Sequence, residues 1–312
     1  KMGIILGFTG PIESLTPAMA ASAELAFNEA SDSGKLLGGQ KISVERADST
    51  CVDSAAATTA AEGLVSNGVV AIMGADCSGV TGAIATNVAV PNGVVMISPS
   101  ATSPGLTDLN DNGYFFRTAP SDARGGQILA DITKDRKIKS VAITYTNNDY
   151  GKGLADVYKA AVEGHGIKVT TVAAHEDGKA DYSAEVATLA SAGGDAVAVI
   201  GYIDQGGKGI IQASLDSGAF DRFILSDGMI GDSLTDNFGK ALNKSFGSLP
   251  GSTGKGAGVF KDVASAAGID SSGPYTGESY DAAALITLAM QAGGKADRAT
   301  VQANVMAVAN AP

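Results

Sequence analysis

Two doubly wound α/β lobes built on parallel sheets are the fold class that this sequence predicts. Short apolar runs of strand length alternate with helix-length stretches that carry apolar residues on one face. The alternation breaks in mid-chain and starts again. Just past the apolar runs, hydroxyl, amide and acidic residues gather, where open parallel sheets bind their ligands.

The first run is "MGIILGF" (2–8), followed by a helix with Thr16 as N-cap, Pro17 at its first position and Met19, Ala23, Ala26, Phe27 and Ala30 on one face. "KISVERAD" (41–48), an alanine-rich helix from about Asp53, "GVVAIMGA" (68–75), a helix from about Val80 and "GVVMIS" (93–98) complete the first half. The break falls near "YFFRTAPSDARGG" (114–126). Beyond it, "SVAITYT" (140–146), "IKVTTVAAH" (167–175), "DAVAVIGY" (195–202) and "RFILSD" (222–227) are strands with helices between them. "SLPGSTGKGAG" (248–258) reads as a linker or exposed loop, and a further helix is expected from about Tyr280. The sequence ends at Pro312, in or just after a helical segment and without a closing strand.

With 45% of residues hydrophobic and 18% charged, the 312-residue chain can bury the cores of about two domains. No run approaches the roughly 18 apolar residues that span a bilayer, and no basic leader with an apolar core is present. Because the sequence starts at Lys1, a processed product lacking its targeting segment is expected. The net charge of −11 repels nucleic-acid phosphates and anionic lipid surfaces, so neither is an expected partner. Cys51 and Cys77, the only cysteines, each follow an expected strand. A bridge between them would stabilise the fold by roughly 3.5 kcal/mol and require an oxidising compartment, the alternative being two buried thiols.

Several catalytic patterns fail. "GDSL" (231–234) copies the nucleophile block of a hydrolase family, but such an enzyme needs a histidine later in the chain, and His165 and His175 both come earlier. "GSTGKGAG" (251–258) lacks the spacing of a phosphate loop, no G-x-G-x-x-G follows the first strand, and no H-E-x-x-H cluster occurs. The expectation is a protein without catalytic residues, cofactor or metal, one that holds a molecule and does not transform it.

Taken in order, "GFTGPIESLTP" (7–17), the cysteine pair with "CSG" (77–79), "MISPSATSPGL" (96–106), "YTNNDYGKGL" (145–154), "GYIDQGG" (201–207), "FILSDG" (223–228) and "SGPYTGESYDAA" (272–283) carry a resemblance. The chain resembles the type I periplasmic solute-binding proteins of the Leu/Ile/Val-binding class, receptors of ABC importers. The resemblance implies that backbone amides at Ser100, Ala101 and Thr102, the Thr102 hydroxyl and Ser78 receive the α-carboxylate of an amino acid. Free amides at strand ends and helix starts suit an anion, although the same residues serve ordinary capping and turns. The resemblance further implies that Asp227 pairs with the ammonium group, with Tyr150 and Tyr202 closing over the ligand. Aspartate replaces the family's commoner glutamate there, which shortens the reach. Leu15 and Tyr275 fall at side-chain pocket positions, with plain core packing as the alternative for Leu15.

What the resemblance implies overall is a two-lobed receptor with a multi-crossover hinge, one lobe formed by 1–118 plus about 251–312 and the other by 119–250. It would be a monomer, periplasmic or lipid-anchored outside the cytoplasm. It would capture a small amino acid, favoured as aliphatic or branched-chain, and deliver it to a membrane permease. The rival readings are a sensing domain for a chemoreceptor or signalling system, a binder of another small carboxylate or amide, and a hydrolase built on "GDSL". The family's closing strand is not visible before Pro312.

Overall fold

The structure, a computed structural model, describes residues 1–310. Its elements are β1 (Met2–Leu6), α1 (Thr16–Asp32), β2 (Val44–Asp48), α2 (Ser54–Ser66), β3 (Ala71–Gly74), α3 (Ser78–Ile84), β4 (Val95–Ser98) and β5 (Phe115–Arg117). There follow α4 (Asp122–Asp135), β6 (Ser140–Thr146), α5 (Asp149–Gly164), β7 (Lys168–His175), α6 (Ser183–Ala192), β8 (Ala196–Ile200), α7 (Lys208–Ser217) and β9 (Phe223–Leu225). The last are α8 (Asp232–Phe238), β10 (Phe246–Gly247), α9 (Lys255–Ala266), α10 (Thr276–Gly293) and α11 (Arg298–Ala309).

Two parallel sheets result, ordered β2-β1-β3-β4-β5 and β10-β9-β8-β6-β7. In each, the first-formed strand is flanked by the next two, so the order reverses between β1 and β3 and between β6 and β8. Such switch points open a crevice at the carboxyl ends of the strands. The central strands β1, β3, β4 and β8 are buried along their whole length, which is why they read as unbroken apolar runs. One face of the first sheet packs Met2, Ile4, Met73 and Ile97 against Phe27 of α1, Ile286 and Met290 of α10, and Val301 and Val305 of α11. The chain therefore returns to its first sheet after building the second.

Each strand read from the sequence is present. The doubly wound architecture is as expected, while two strands went unread. β5 lies inside the stretch taken as a break, and β10 is two residues long beside the glycine-rich loop; neither carries the apolar run that marks a buried strand. Thr16 is the first residue of α1 and not its cap: Leu15 holds the cap position, and the Thr16 hydroxyl donates to the Gly7 carbonyl at 3.1 Å. α10 starts at Thr276, ahead of Tyr280, and α9 begins inside the segment read as a loop. The cysteines are bridged, with 5.2 Å between the Cα atoms. Pro312 lies outside the described residues.

Candidate functional site

The loops that follow β1, β3, β4, β6, β8 and β9 meet at a small cavity. Its lining includes Leu15, Asp76, Ser78, Ser100, Tyr150, Tyr202, Asp227 and Tyr275, and its volume is about 30 Å³. Seven of the nine residues singled out from the sequence as ligand contacts are thus brought together. Ala101 and Thr102 are fully buried but are not part of the lining.

On the first-sheet side, Ser78 opens α3, and no side chain caps that helix. Its hydroxyl accepts from the Ser103 amide at 3.1 Å. The Ser100 hydroxyl donates to the Asp76 carbonyl at 3.1 Å. The amides of Ser100 and Ala101 turn inward to the Ser98 hydroxyl, at 3.4 and 2.9 Å, so these two donors are already used within the loop. The Thr102 hydroxyl is buried without a partner, while the Thr102 carbonyl accepts from the Asp122 amide at 2.9 Å.

Asp76 went unrecognised in the sequence, although it directly precedes "CSG". Its carboxylate accepts from the Gly7 amide at 2.5 Å, the Ser49 hydroxyl at 3.0 Å and the Cys77 amide at 2.9 Å, tying together the loops after β1, β2 and β3. Burial raises its pKa, and these donors oppose the rise. The disulfide fixes the same loop from outside.

The second-sheet side is built from aromatic rings and one acid. Asp227 follows β9 and is 7% exposed. Its Oδ1 accepts from the Tyr150 hydroxyl at 2.7 Å and its Oδ2 from the Tyr275 hydroxyl at 2.5 Å. Tyr150 sits in the first turn of α5, capped by the Asn148 side chain, and its ring stacks on Tyr202 with centroids 5.1 Å apart. Tyr275 precedes α10 with φ of +59°, a left-handed conformation uncommon outside glycine, and this aims its ring from the first-sheet half onto Asp227. Burial is the largest cause of the raised Asp227 pKa, and the two tyrosine donors pull it back toward the charged form. The hydroxyls of Tyr150, Tyr202 and Tyr275 stay protonated, held well above the usual tyrosine range chiefly by burial.

A second carboxyl also went unread. Asp122, the first residue of α4, is 4% exposed, and its Oδ2 is buried without a partner. Burial and the negative charge of Asp227 push its pKa well up. The sequence offered no signal for it, because Asp122 lies in the stretch read as a break.

Leu15 packs against all three hydrophobic clusters of the molecule, at the seam between the halves. The "GDSL" serine, Ser233, has the hydroxyl of Ser14 and the carboxylate of Asp204 as partners, each at 3.4 Å. His175 is buried with Nδ1 on Thr144, and His165 pairs with Asp131, so neither serves as a base for Ser233. No cluster of residues able to hold a metal ion occurs among the described residues. No helix is long and apolar enough to cross a membrane.

The sequence pattern of a family described as periplasmic binding protein matches residues 1–309. The leucine-, isoleucine-, valine-, threonine-, and alanine-binding protein of Pseudomonas aeruginosa is 30% identical over 302 residues, covering 95% of this chain and 79% of that protein. Leu/Ile/Val-binding protein homolog 3 of Brucella melitensis is 33% identical over 207 residues, which is 66% of this chain but only 55% of the relative's length. Among solved structures, the branched-chain amino acid transporter substrate-binding protein LivJ from Streptococcus pneumoniae, in complex with isoleucine, superposes with a TM-score of 0.83. The identity is 24%, and the match covers 97% of this chain and 86% of that one.

Proposed function

The chain belongs to the periplasmic binding protein family, type I, branched-chain amino acid class, and from that premise we propose that it is the extracytoplasmic receptor of an ABC importer. It captures a small amino acid, favoured as aliphatic or branched-chain, and hands it to a membrane permease. The proposed lobes are 1–118 plus the segment from about 251, and 119–250, closing as a monomer about the crossovers between them.

One observation carries this reading: a buried acid, Asp227, with both carboxylate oxygens held by tyrosine hydroxyls, shares a cavity with Ser78 and Ser100. The ammonium of a zwitterion is the natural counter-charge for Asp227. Its carboxylate belongs on the opposite side, with Ser78, Ser100 and the unpartnered Thr102 hydroxyl. Ala101 contributes backbone there, and Leu15 and Tyr275 bound the side chain. Tyr150 and Tyr202 exclude water, which strengthens the charge-assisted bonds. A cavity of about 30 Å³ has room for about two waters. An amino acid therefore enters with the lobes apart and is enclosed as they close.

Calorimetry and thermal shift with L-leucine, L-valine and L-alanine test the reading, because a ligand of the folded state raises Tm. Replacing the free carboxylate by its amide is expected to weaken binding roughly 10- to 100-fold. Equal affinity for acid and amide would overturn the site.

A further inference from the structure

Resting on the reading of two closing lobes, a set of contacts away from the cavity assigns the means of holding them shut. Asp204 stands in the π-helical turn Ile203–Gly207, directly after Tyr202. Its amide donates to the Pro11 carbonyl at 2.9 Å, and its Oδ2 accepts from the Ser14 amide at 2.9 Å. Oδ1 accepts from Lys208 at 3.1 Å and from the Ser233 hydroxyl at 3.4 Å, and Ser233 in turn meets the Ser14 hydroxyl at 3.4 Å. A single residue of the second-sheet half thus clasps both ends of the 11–14 turn of the first-sheet half. Asp204 does not line the cavity.

Both partners are rigid. The turn after β1 is fastened by the Thr9 hydroxyl to Asp48 at 2.6 Å, and a side chain at Gly10 would lie 2.4 Å from the Thr50 carbonyl. Behind Asp204, a Cβ at Gly207 would fall 2.0 Å from the Met229 sulfur, so the turn is pressed against β9's loop. At the opposite edge, the Ser103 hydroxyl bonds the Asp149 carbonyl at 3.1 Å, a neutral contact. The clasp at Asp204 is the charge-assisted one, of the kind worth about twice a neutral bond.

We infer that Asp204 is the latch of the closed form, a positioning residue that touches no ligand but sets how long the lobes stay shut. The serine of "GDSL" then has a structural use as the latch's outer prop.

Stopped-flow release of L-leucine and small-angle scattering of the full chain test this. Asp204→Ala is expected to speed release about tenfold, while the ranking of amino acids stays the same because no ligand contact is lost. Asp204→Asn keeps an acceptor for the Ser14 amide and is expected to restore most of the wild-type rate. Ser14→Pro, which deletes that amide from the other side, should match Asp204→Ala and covers the case in which the alanine variant fails to fold. Release rates and scattering equal to wild type in the folded variants would overturn the latch. If no amino acid changes the wild-type heat or scattering, the receptor reading fails separately. The latch is then judged by ligand-free scattering, in which Asp204→Ala is expected to be the more extended.

Discussion

On the first-sheet side of the cavity, a disulfide and the Asp76 carboxylate bind the loops after β1, β2 and β3 to one another. On the second-sheet side no covalent link exists, and Asp227 is held by hydroxyls that come from both halves, Tyr150 from one and Tyr275 from the other. The first wall is complete whether or not the halves meet. The second is completed only when they do, because Tyr275 is delivered from across the seam. One side is a preformed cradle, and the other is assembled by closure. Preformed donors reduce the ordering cost of binding, while an assembled acid couples binding to closure.

The largest effect should come from breaking the assembled side. Asp227→Ala removes the acid and leaves the ligand ammonium buried without a partner, at a cost of about 4 kcal/mol or roughly a thousandfold in affinity by calorimetry, with the fold intact. An affinity within tenfold of wild type would place the cation elsewhere.

Breaking the preformed side should act on stability first. Reducing Cys51–Cys77, or replacing both with serine, opens a loop of 26 residues and should cost roughly 3.5 kcal/mol, read as a shift in the denaturation midpoint. If the first wall is a cradle as described, residual binding by the folded fraction survives.

The smallest effect tests burial behind the Tyr202 wall. Asp177 bonds the Thr146 hydroxyl at 2.5 Å, and burial pushes its pKa up from 3.8 to about 6. A raised carboxyl pKa means that its stabilising contribution is complete below 3.8 and is lost as pH rises through about 6. Asp177→Asn is therefore expected to gain about 2 kcal/mol at neutral pH and above, and nothing under acid conditions. Neighbouring His175, held down to about 4 by burial, runs in the opposite sense but is common to both proteins and cancels in the difference. A gain that does not depend on pH would show that packing, not charge, is responsible.

Much of the site was legible because strand ends are legible. Apolar runs such as "AVAVI" and "MGIIL" mark buried parallel strands, and whatever follows them reaches the crevice, so Ser78, Tyr150, Tyr202 and Asp227 could be picked out in advance. Asp122 escaped because it follows β5, a strand of three residues with an arginine at its end. The use of the Ser100 and Ala101 amides also escaped, since Ser98 two and three residues upstream takes them through a local turn that competes with any ligand.

By itself the sequence determined the alternation of strands and helices, the two parallel sheets and the family, because burial of a strand on both faces demands a residue pattern that can be read along the chain. Only the tertiary structure decided which groups meet. Ser14 and Asp204 are 190 positions apart, and Tyr275 reaches Asp227 across 48. Contacts of that separation depend on how two finished halves are set against each other, and no local pattern of residues encodes the angle between them.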